Sequence, residues 1–386
     1  MFYLKTWLGI CFLASTICAT AQEKATVDIG GALRFNYNNS TWKDAQQKRG
    51  GDLGFDVFRL NAKAEYKGLK LNAEYRFYSE SFGGAMLKQG WIAYDFNENN
   101  ELQFGLTQVP FGITTYNSNS WFFSLNYYVG LEDDHDMGLK YTHQGEKWDY
   151  SLAFFKNAEE LQFGNNSDVS NSRYSYDVAS ISNSDGNLIL RNKEVNQLNG
   201  DLLYKINNTN AKHRLGVSAQ YGGLYNIDTE EIGNHYALAA YYELKAGKFG
   251  VKAQIANYKY SPENPDSERD DVVAMTAYGA PYLVAAEASI YTLGLSYSIP
   301  LEWGPVSNVV IYNDFGYMDK AESSFESSMM NVTGAMFTAG NIYTYFDLAA
   351  GKNQPWLGSE WTNALAAGTP DADWEMRFNI NVGYYF

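Results

Sequence analysis

The chain has 386 residues, of which 45% are hydrophobic, 16% are aromatic and 19% are charged, with a formal net charge of −15. The apolar content excludes a disordered acidic polymer, and the pI of about 4.7 excludes a nucleic-acid binder, which needs a basic surface. After the N-terminus no stretch reaches the roughly 18 apolar residues of a membrane-spanning helix, so a helical membrane protein is excluded too. A large β protein remains, either soluble or a membrane barrel.

Residues 1–21 have the pattern of a signal peptide. Lys5 supplies the positive charge, an apolar stretch follows, and residues 19–21 (Ala-Thr-Ala) have the small-x-small form of a cleavage site. We therefore expect an exported chain whose mature part, residues 22–386, forms a single domain. Both cysteines lie in the removed segment, so neither disulfides nor thiol chemistry is expected, and no cofactor is predicted.

From Val27 onward apolar and polar residues alternate along most of the chain, which is typical of strands with one apolar face. The last segment is the clearest case, because every second residue from Trp374 to Phe386 is apolar. Sixteen strands are predicted, near residues 26–38, 53–66, 69–78, 89–96, 101–111, 137–143, 148–156, 198–206, 213–223, 234–244, 249–259, 289–299, 307–318, 330–339, 342–348 and 374–386.

The connections between these strands alternate in length. Short turns such as Lys67-Gly68 alternate with long loops such as residues 112–136 and 157–197. Soluble sandwiches do not sort their loops in this way, whereas barrels of the bacterial outer membrane do. The predicted fold is an all-β, transmembrane, antiparallel up-and-down β-barrel of about 16 strands, with short periplasmic turns and long extracellular loops. Aromatic residues near the strand ends fit the girdles at the two lipid–water interfaces.

Four segments carry a resemblance to a known family. They are residues 105–112 (GLTQVPFG), residues 148–157 (WDYSLAFFKN), residues 345–347 (YFD) followed by 351–353 (GKN), and residues 383–386 (GYYF). In this order, over nearly all of the mature chain, they resemble the phosphate-selective porin O and P family in its Bacteroidota form. The resemblance implies a sixteen-stranded, trimeric outer-membrane diffusion channel for small hydrophilic solutes or ions, including anions such as phosphate. It also implies that Tyr384 and Phe386 form the signal that the outer-membrane assembly machinery recognises.

Charged residues on the polar strand faces are the candidate pore residues. The first three strands and the last strand predict a basic sector of the wall that contains Arg34, Arg59, Lys63, Lys70, Arg76 and Arg377. The family resemblance implies that the third long loop, residues 112–136, folds inward. It would then bring four acidic residues opposite that sector: Glu132, Asp133, Asp134 and Asp136. Such a constriction would select solutes by size and charge, and its acidic side puts phosphate specificity in doubt. For each charge the alternative stays open that it is solvated in the lumen or holds the loop in place.

The same loop contains five aromatic residues, namely Trp121, Phe122, Phe123, Tyr127 and Tyr128. Two interpretations stay open: a stacking surface for sugars, or packing that anchors the loop to the wall. The acidic run with His135 in it has ligand types that suit a divalent metal, but its spacing matches no calcium-loop pattern, so no metal ligands are assigned. The other long loops are acidic as well, which fits a hydrated rim beside lipopolysaccharide and outer-membrane lipid.

Two other functions stay open. One is a binding or adhesion barrel that uses its long acidic loops. The other is a barrel enzyme, which needs a nucleophile beside a histidine base. The four histidines, His135, His143, His213 and His235, fall on different strands or connections and have no evident Ser and acid partners in sequence. The sequence therefore favours a channel without catalytic activity.

Overall fold

The computed structural model describes residues 25–159, 173–182, 189–265 and 269–386. Sixteen antiparallel strands form one closed barrel in which each strand pairs with its neighbours in chain order. The strands are β1 (Thr26–Ser40), β2 (Asp52–Tyr66), β3 (Leu69–Phe77), β4 (Ala85–Asn97), β5 (Asn100–Gln108), β6 (His135–Gln144), β7 (Trp148–Ala158), β8 (Asn192–Asn207), β9 (Ala211–Asn226), β10 (Ile232–Ala246), β11 (Phe249–Ser261), β12 (Glu287–Trp303), β13 (Val306–Lys320), β14 (Ser328–Ala339), β15 (Ile342–Lys352) and β16 (Glu375–Tyr385).

The last strand closes the barrel against the first. β16 pairs with β1 in a register that runs from Ala32↔Tyr385 to Ser40↔Arg377. The predicted strand number and the up-and-down antiparallel order are therefore confirmed. The predicted signal peptide, residues 1–21, lies outside the described residues.

Connections at one end of the barrel have two or three residues, and those at the other end are longer. We call these the short-turn end and the long-loop end. Five predicted turns are shorter than expected because their flanking strands continue further. Pro300 lacks an N–H and predicts a strand end at residue 299, but β12 extends to Trp303 through a register shift after the proline.

The outer face of the barrel is apolar. In β1 the side chains of Val27, Ile29, Leu33 and Phe35 are exposed, and the same holds for one face of the other strands, for example at Phe104. A water-soluble protein does not expose so continuous an apolar surface, so this face fits contact with lipid. No helix in the described part of the chain is long and apolar enough to cross a membrane.

The buried core lies inside the barrel, toward the long-loop end. Leu125 of the third long loop packs in one cluster with Met275 and Tyr282. The last two belong to a three-stranded sheet of loop segments: Asp177–Val178, Val272–Thr276 and Tyr282–Ala285. Long loops thus fill part of the lumen and support one another there.

Candidate pore constriction

The third long loop occupies residues 109–134, between β5 and β6. The fifth strand was predicted to reach residue 111, but it ends at Gln108 because the chain turns into the lumen after it. Backbone N–H groups of the loop then reach the opposite wall: Gly112 donates to Ser218 Oγ and Ile113 to Gln254 Oε1, each at 2.9 Å. The loop therefore crosses the interior of the barrel, as expected from the sequence.

Gly112 is required at the point where the loop meets β11. Its φ is 63°, a left-handed conformation that favours glycine. A Cβ at this position would also overlap the amide of Gln254. The absence of a side chain thus allows the loop backbone to contact the wall directly.

Wall side chains on β11 and β13 hold the middle of the loop. Asp314 accepts three hydrogen bonds, from Asn119 N at 2.8 Å, Asn119 Nδ2 at 2.7 Å and Ser120 N at 2.8 Å. Lys252 Nζ donates to the carbonyl oxygens of Tyr116 and Ser118, both at 2.8 Å. Hydrogen bonds to charged groups are the stronger class, so these two residues fix the loop across the lumen.

Glu132 stabilises the loop from within. Its carboxylate accepts from Asn117 N at 2.9 Å, from Ser124 N at 3.1 Å and from Ser124 Oγ at 2.5 Å. The side chain is 3% exposed. Burial raises the pKa of Glu132 to about 7, against the opposing effect of these hydrogen bonds.

Asp133 joins the loop to two other elements. It accepts from Lys88 Nζ on β4 at 2.7 Å and from the hydroxyl of Tyr174 at 2.7 Å. Burial also raises the pKa of Asp133, while Lys88 opposes that shift. Asp134 and Asp136 are 5% and 1% exposed, in the same packed region.

The four acidic residues therefore do not face the basic sector across an aqueous gap, which corrects the arrangement expected from the sequence. None of them lines the cavity between loop and wall. The physical reason is that hydrogen-bond donors bind the carboxylates of Glu132 and Asp133, so that these two side chains hold the loop in place. Asp134 and Asp136 are buried in the same packed region. The sequence around these residues gives no sign of the donors to Asp133, because Lys88 lies 45 residues and Tyr174 lies 41 residues away from it along the chain.

A cavity of about 730 Å³ lies between the loop and the wall. Five of its lining side chains are basic and one is acidic: Arg34, Arg59, Arg76, Lys252, Arg377 and Asp56. The four arginines come from β1, β2, β3 and β16, which are adjacent in the barrel, so the predicted basic sector is continuous there. Lys252 comes from β11 on another part of the wall.

Aromatic rings contact all four arginines. Arg377 lies over Trp42 at 5.1 Å. For the other three the guanidinium carbon lies over a ring centroid in the pairs Arg34 over Trp121 at 4.3 Å, Arg59 over Tyr385 at 5.2 Å and Arg76 over Tyr174 at 4.4 Å. Stacking of this kind is favourable and fixes the plane of the guanidinium. Carboxylates partner these three arginines as well: Arg34 Nε lies 2.9 Å from Asp56, and Glu74 lies 2.5 Å from Arg76 NH2 and 3.8 Å from Arg59 NH1.

The other two predicted wall cations lie outside the cavity. Lys70 binds Asp95 and Glu101 near the short-turn end, at 2.8 Å and 3.0 Å. Lys63 is exposed on the inner face of β2, in register with Asp28 and Asn72. Neither contributes to the constriction.

All five predicted loop aromatics line the cavity. Their packing favours the anchoring interpretation for part of the set. Phe123 stacks on Tyr127 with centroids 3.7 Å apart, and the Tyr127 hydroxyl bonds to that of Tyr278 at 2.7 Å. Tyr127 and Tyr128 are 2% and 4% exposed, so little of either ring is available to a solute. Trp121 packs beside Tyr345 with centroids 5.7 Å apart.

Several lining residues were not found from the sequence. Lys252 could have been predicted, because it lies on the polar face of an alternating strand. Phe82, Tyr174, Tyr278 and Trp356 reach the cavity from other long loops, and no local pattern predicts that placement.

The four histidines are spread over the barrel. Their ring contacts are His135 Nδ1 with Asp133 O at 2.8 Å, His143 Nδ1 with Asn100 Oδ1 at 2.8 Å, His213 Nδ1 with the Tyr242 hydroxyl at 2.8 Å, and His235 stacked on Tyr260 at 5.5 Å. Among the described residues, no serine or threonine hydroxyl is hydrogen-bonded to any of these rings.

The terminal residues lie on the outer face of the closing strand. The side chains of Tyr384 and Phe386 are 51% and 53% exposed. The backbone of Phe386 exchanges two hydrogen bonds with Gly31, at 2.8 Å and 3.1 Å. Their role as an assembly signal stays a prediction.

No family model matches the chain, and no curated protein matches it. Solved structures do match over nearly the full length. OmpT of Vibrio cholerae in its trimer form is 14% identical over 94% of this chain and 100% of that chain, with a TM-score of 0.54. The outer membrane channel DcaP of Acinetobacter baumannii is 10% identical over 95% and 99%, with a TM-score of 0.57. The anion-selective porin from Comamonas acidovorans is 13% identical over 94% and 100%, with a TM-score of 0.56.

At sequence identities of 14% or less, these similarities show a shared fold and nothing more. The resemblance to the phosphate-selective porin O and P family stays a prediction. The chain has a closed sixteen-stranded barrel of the porin type.

Proposed function

We propose that this protein is an outer-membrane porin, a passive diffusion channel for small hydrophilic solutes with a preference for anions. The observation that carries the proposal is the cavity inside the closed barrel, where five basic side chains and one carboxylate line the space left by an inward-folded loop. The apolar outer face supports a position in the lipid of the outer membrane, with the long acidic loops outside, beside lipopolysaccharide.

The preference for anions follows from charge and dielectric. A narrow aqueous space with low-dielectric walls concentrates the field of its lining charges, and here the excess is positive. The preference should be modest, because Asp56 and Glu74 already neutralise part of the charge of Arg34 and Arg76. A strict phosphate filter would need cations without such partners, so we propose general anion preference rather than phosphate specificity.

A homotrimer is part of the proposal. It rests on the family resemblance and on the trimer form recorded for OmpT of Vibrio cholerae, whose barrel has a similar fold. Light scattering of the detergent-solubilised protein would give a protomer count of three, and a monomer in mild detergent would contradict it.

Planar bilayers test the channel. The purified, folded protein should insert in discrete steps of ohmic current, and the heat-unfolded protein should give none. A folded barrel that inserts and stays silent would refute the channel function.

Charge variants test the ion preference. Arg377→Gln and Arg34→Gln should each lower the chloride-to-potassium permeability ratio. Lys63→Gln is the matched control, because it removes an inner-face cation that does not line the cavity. Equal effects of all three variants would assign the preference to the overall charge rather than to the constriction.

A further inference from the structure

Three buried aspartates meet where the third and fourth long loops contact the wall. Asp134 ends the third loop, Asp136 is in β6, and Asp177 is in the short strand Asp177–Val178 of the fourth loop, residues 159–191. One carboxylate oxygen from each lies within 4.8 Å of the others. The three residues are 5%, 1% and 1% exposed.

Two glutamates add to this negative charge. Glu159 follows β7 and Glu194 lies near the start of β8, and both act electrostatically on the aspartates. Among the described ion pairs, the only one that involves any of these five carboxylates joins Arg173 NH1 to Asp177 Oδ2 at 3.1 Å. The Arg173 guanidinium supplies one positive charge, and it also acts on Asp136 and Glu159. One such charge does not balance five carboxylates, so in a dry interior they cannot all be ionised unless a further cation joins them.

Unpartnered oxygens point to such a cation. Within the described chain, Asp136 Oδ1, Glu159 Oε2 and Gln197 Oε1 are buried and have no hydrogen-bond partner. Gln197 is 2% exposed, and its amide lies at the cluster because Nε2 is 3.3 Å from Asp136 Oδ2. Buried polar atoms almost always have a partner, and an unpartnered oxygen of Asp136 beside the buried Gln197 amide fits a positively charged ligand.

We propose that this cluster is a structural binding site for a hard divalent cation, with Ca²⁺ the best match, bound by Asp134, Asp136 and Asp177, with Glu159 and Gln197 as neighbours of these ligands. The all-oxygen donor set selects hard cations. Ca²⁺ accepts six to eight oxygens in irregular geometry at about 2.4 Å, so two ligands on opposite sides of the ion can be about 4.8 Å apart. The ion connects the fourth loop and the end of the third loop to β6 and so stabilises the loops that form the constriction.

The competing account is that the carboxylates are protonated. Burial and the neighbouring carboxylates raise the pKa of Asp134 well above its usual range, and burial raises the pKa of Asp177 to about 6. Protonated acids could donate to one another and would need no metal. The two accounts differ in whether the folded protein binds a divalent ion near neutral pH.

Terbium luminescence tests the site. The folded protein, treated with EDTA in detergent and transferred to buffer at pH 7.5, is titrated with Tb³⁺ alone, which substitutes for Ca²⁺ and is sensitised by tyrosines such as Tyr174 and Tyr260. We expect one saturable site per chain that Ca²⁺ displaces, and a rise in melting temperature on adding Ca²⁺, because a ligand of the native state stabilises it.

Variants locate the ion. Asp136→Asn and Glu159→Gln should weaken Tb³⁺ binding by at least about tenfold. Asp270→Asn, in an exposed acidic loop, is the control and should leave it unchanged. If one cluster variant fails to fold, the other and the wild-type titration still decide. Absence of saturable binding, unchanged binding in the folded cluster variants, or loss of binding in Asp270→Asn would each overturn the proposal.

Discussion

Asp314 on β13 holds the third loop across the lumen, and its removal should release the loop. In Asp314→Ala the backbone N–H groups of Asn119 and Ser120 lose their acceptor, as does the Asn119 amide. A buried donor left unsatisfied costs about 1–3 kcal/mol. Asn119 and Ser120 both line the cavity, so water there can replace some of the lost hydrogen bonds. We take about 3 kcal/mol as the net loss in the free energy with which the loop docks on the wall. At about 1.4 kcal/mol per factor of ten, the undocked population should rise about 100-fold.

Single-channel recording measures this effect. The wild type should show a steady conductance, whereas Asp314→Ala should show frequent transitions to a larger one as the loop leaves the lumen. Asp149→Asn is the control, since Asp149 accepts hydrogen bonds from Gly145 and Lys205 at the short-turn end, away from the loop. Currents of Asp314→Ala that match the wild type, with the barrel shown to be folded by its heat-dependent gel mobility, would refute the role given to Asp314.

Three further predictions concern pH, assembly and loop packing. Burial raises the pKa of Glu132 in the folded state to about 7 from 4.5, so its contribution to stability is lost as pH rises between about 4.5 and 7. Glu132→Gln should therefore reduce the fall in melting temperature over that pH range, and a pH profile like that of the wild type would contradict this. Phe386→Ala should lower the amount of folded barrel in the outer membrane, whereas Trp374→Ala should not, although Trp374 is an exposed aromatic residue at the other end of the closing strand. Equal yields of the wild type and both variants would contradict the assembly role of Phe386. Tyr127→Phe loses the hydrogen bonds to Tyr278 and to the Tyr174 carbonyl but keeps the stacking on Phe123. The melting temperature should fall by a few degrees and the ion selectivity should not change, whereas a change in selectivity would contradict a purely packing role.

The strands could be predicted from the sequence because their periodicity is local. Alternation of apolar and polar residues shows which face of β1 or β16 meets the lipid, and turns such as Lys67-Gly68 mark the strand ends. The inner-face arginines follow from the same alternation, and so does Lys252.

The constriction could not be predicted in the same detail because its contacts are distant in sequence. The acidic residues at positions 132–136 look like pore-facing charges, yet they are buried by partners such as Lys88 and Tyr174. Likewise, only the folded barrel brings Asp177 of the fourth loop beside Asp134 and Asp136. Whether a carboxylate faces water or a hydrogen-bond donor depends on loop paths that periodicity does not encode.

The central claim is that this barrel is a channel whose constriction prefers anions. The reversal potential of the wild-type protein in a planar bilayer, under a KCl gradient at neutral pH, tests it most directly. The account predicts ohmic steps and a reversal potential displaced toward the chloride equilibrium potential. A displacement toward the potassium potential would show that the acidic outer loops, and not the basic cavity lining, determine which ions cross.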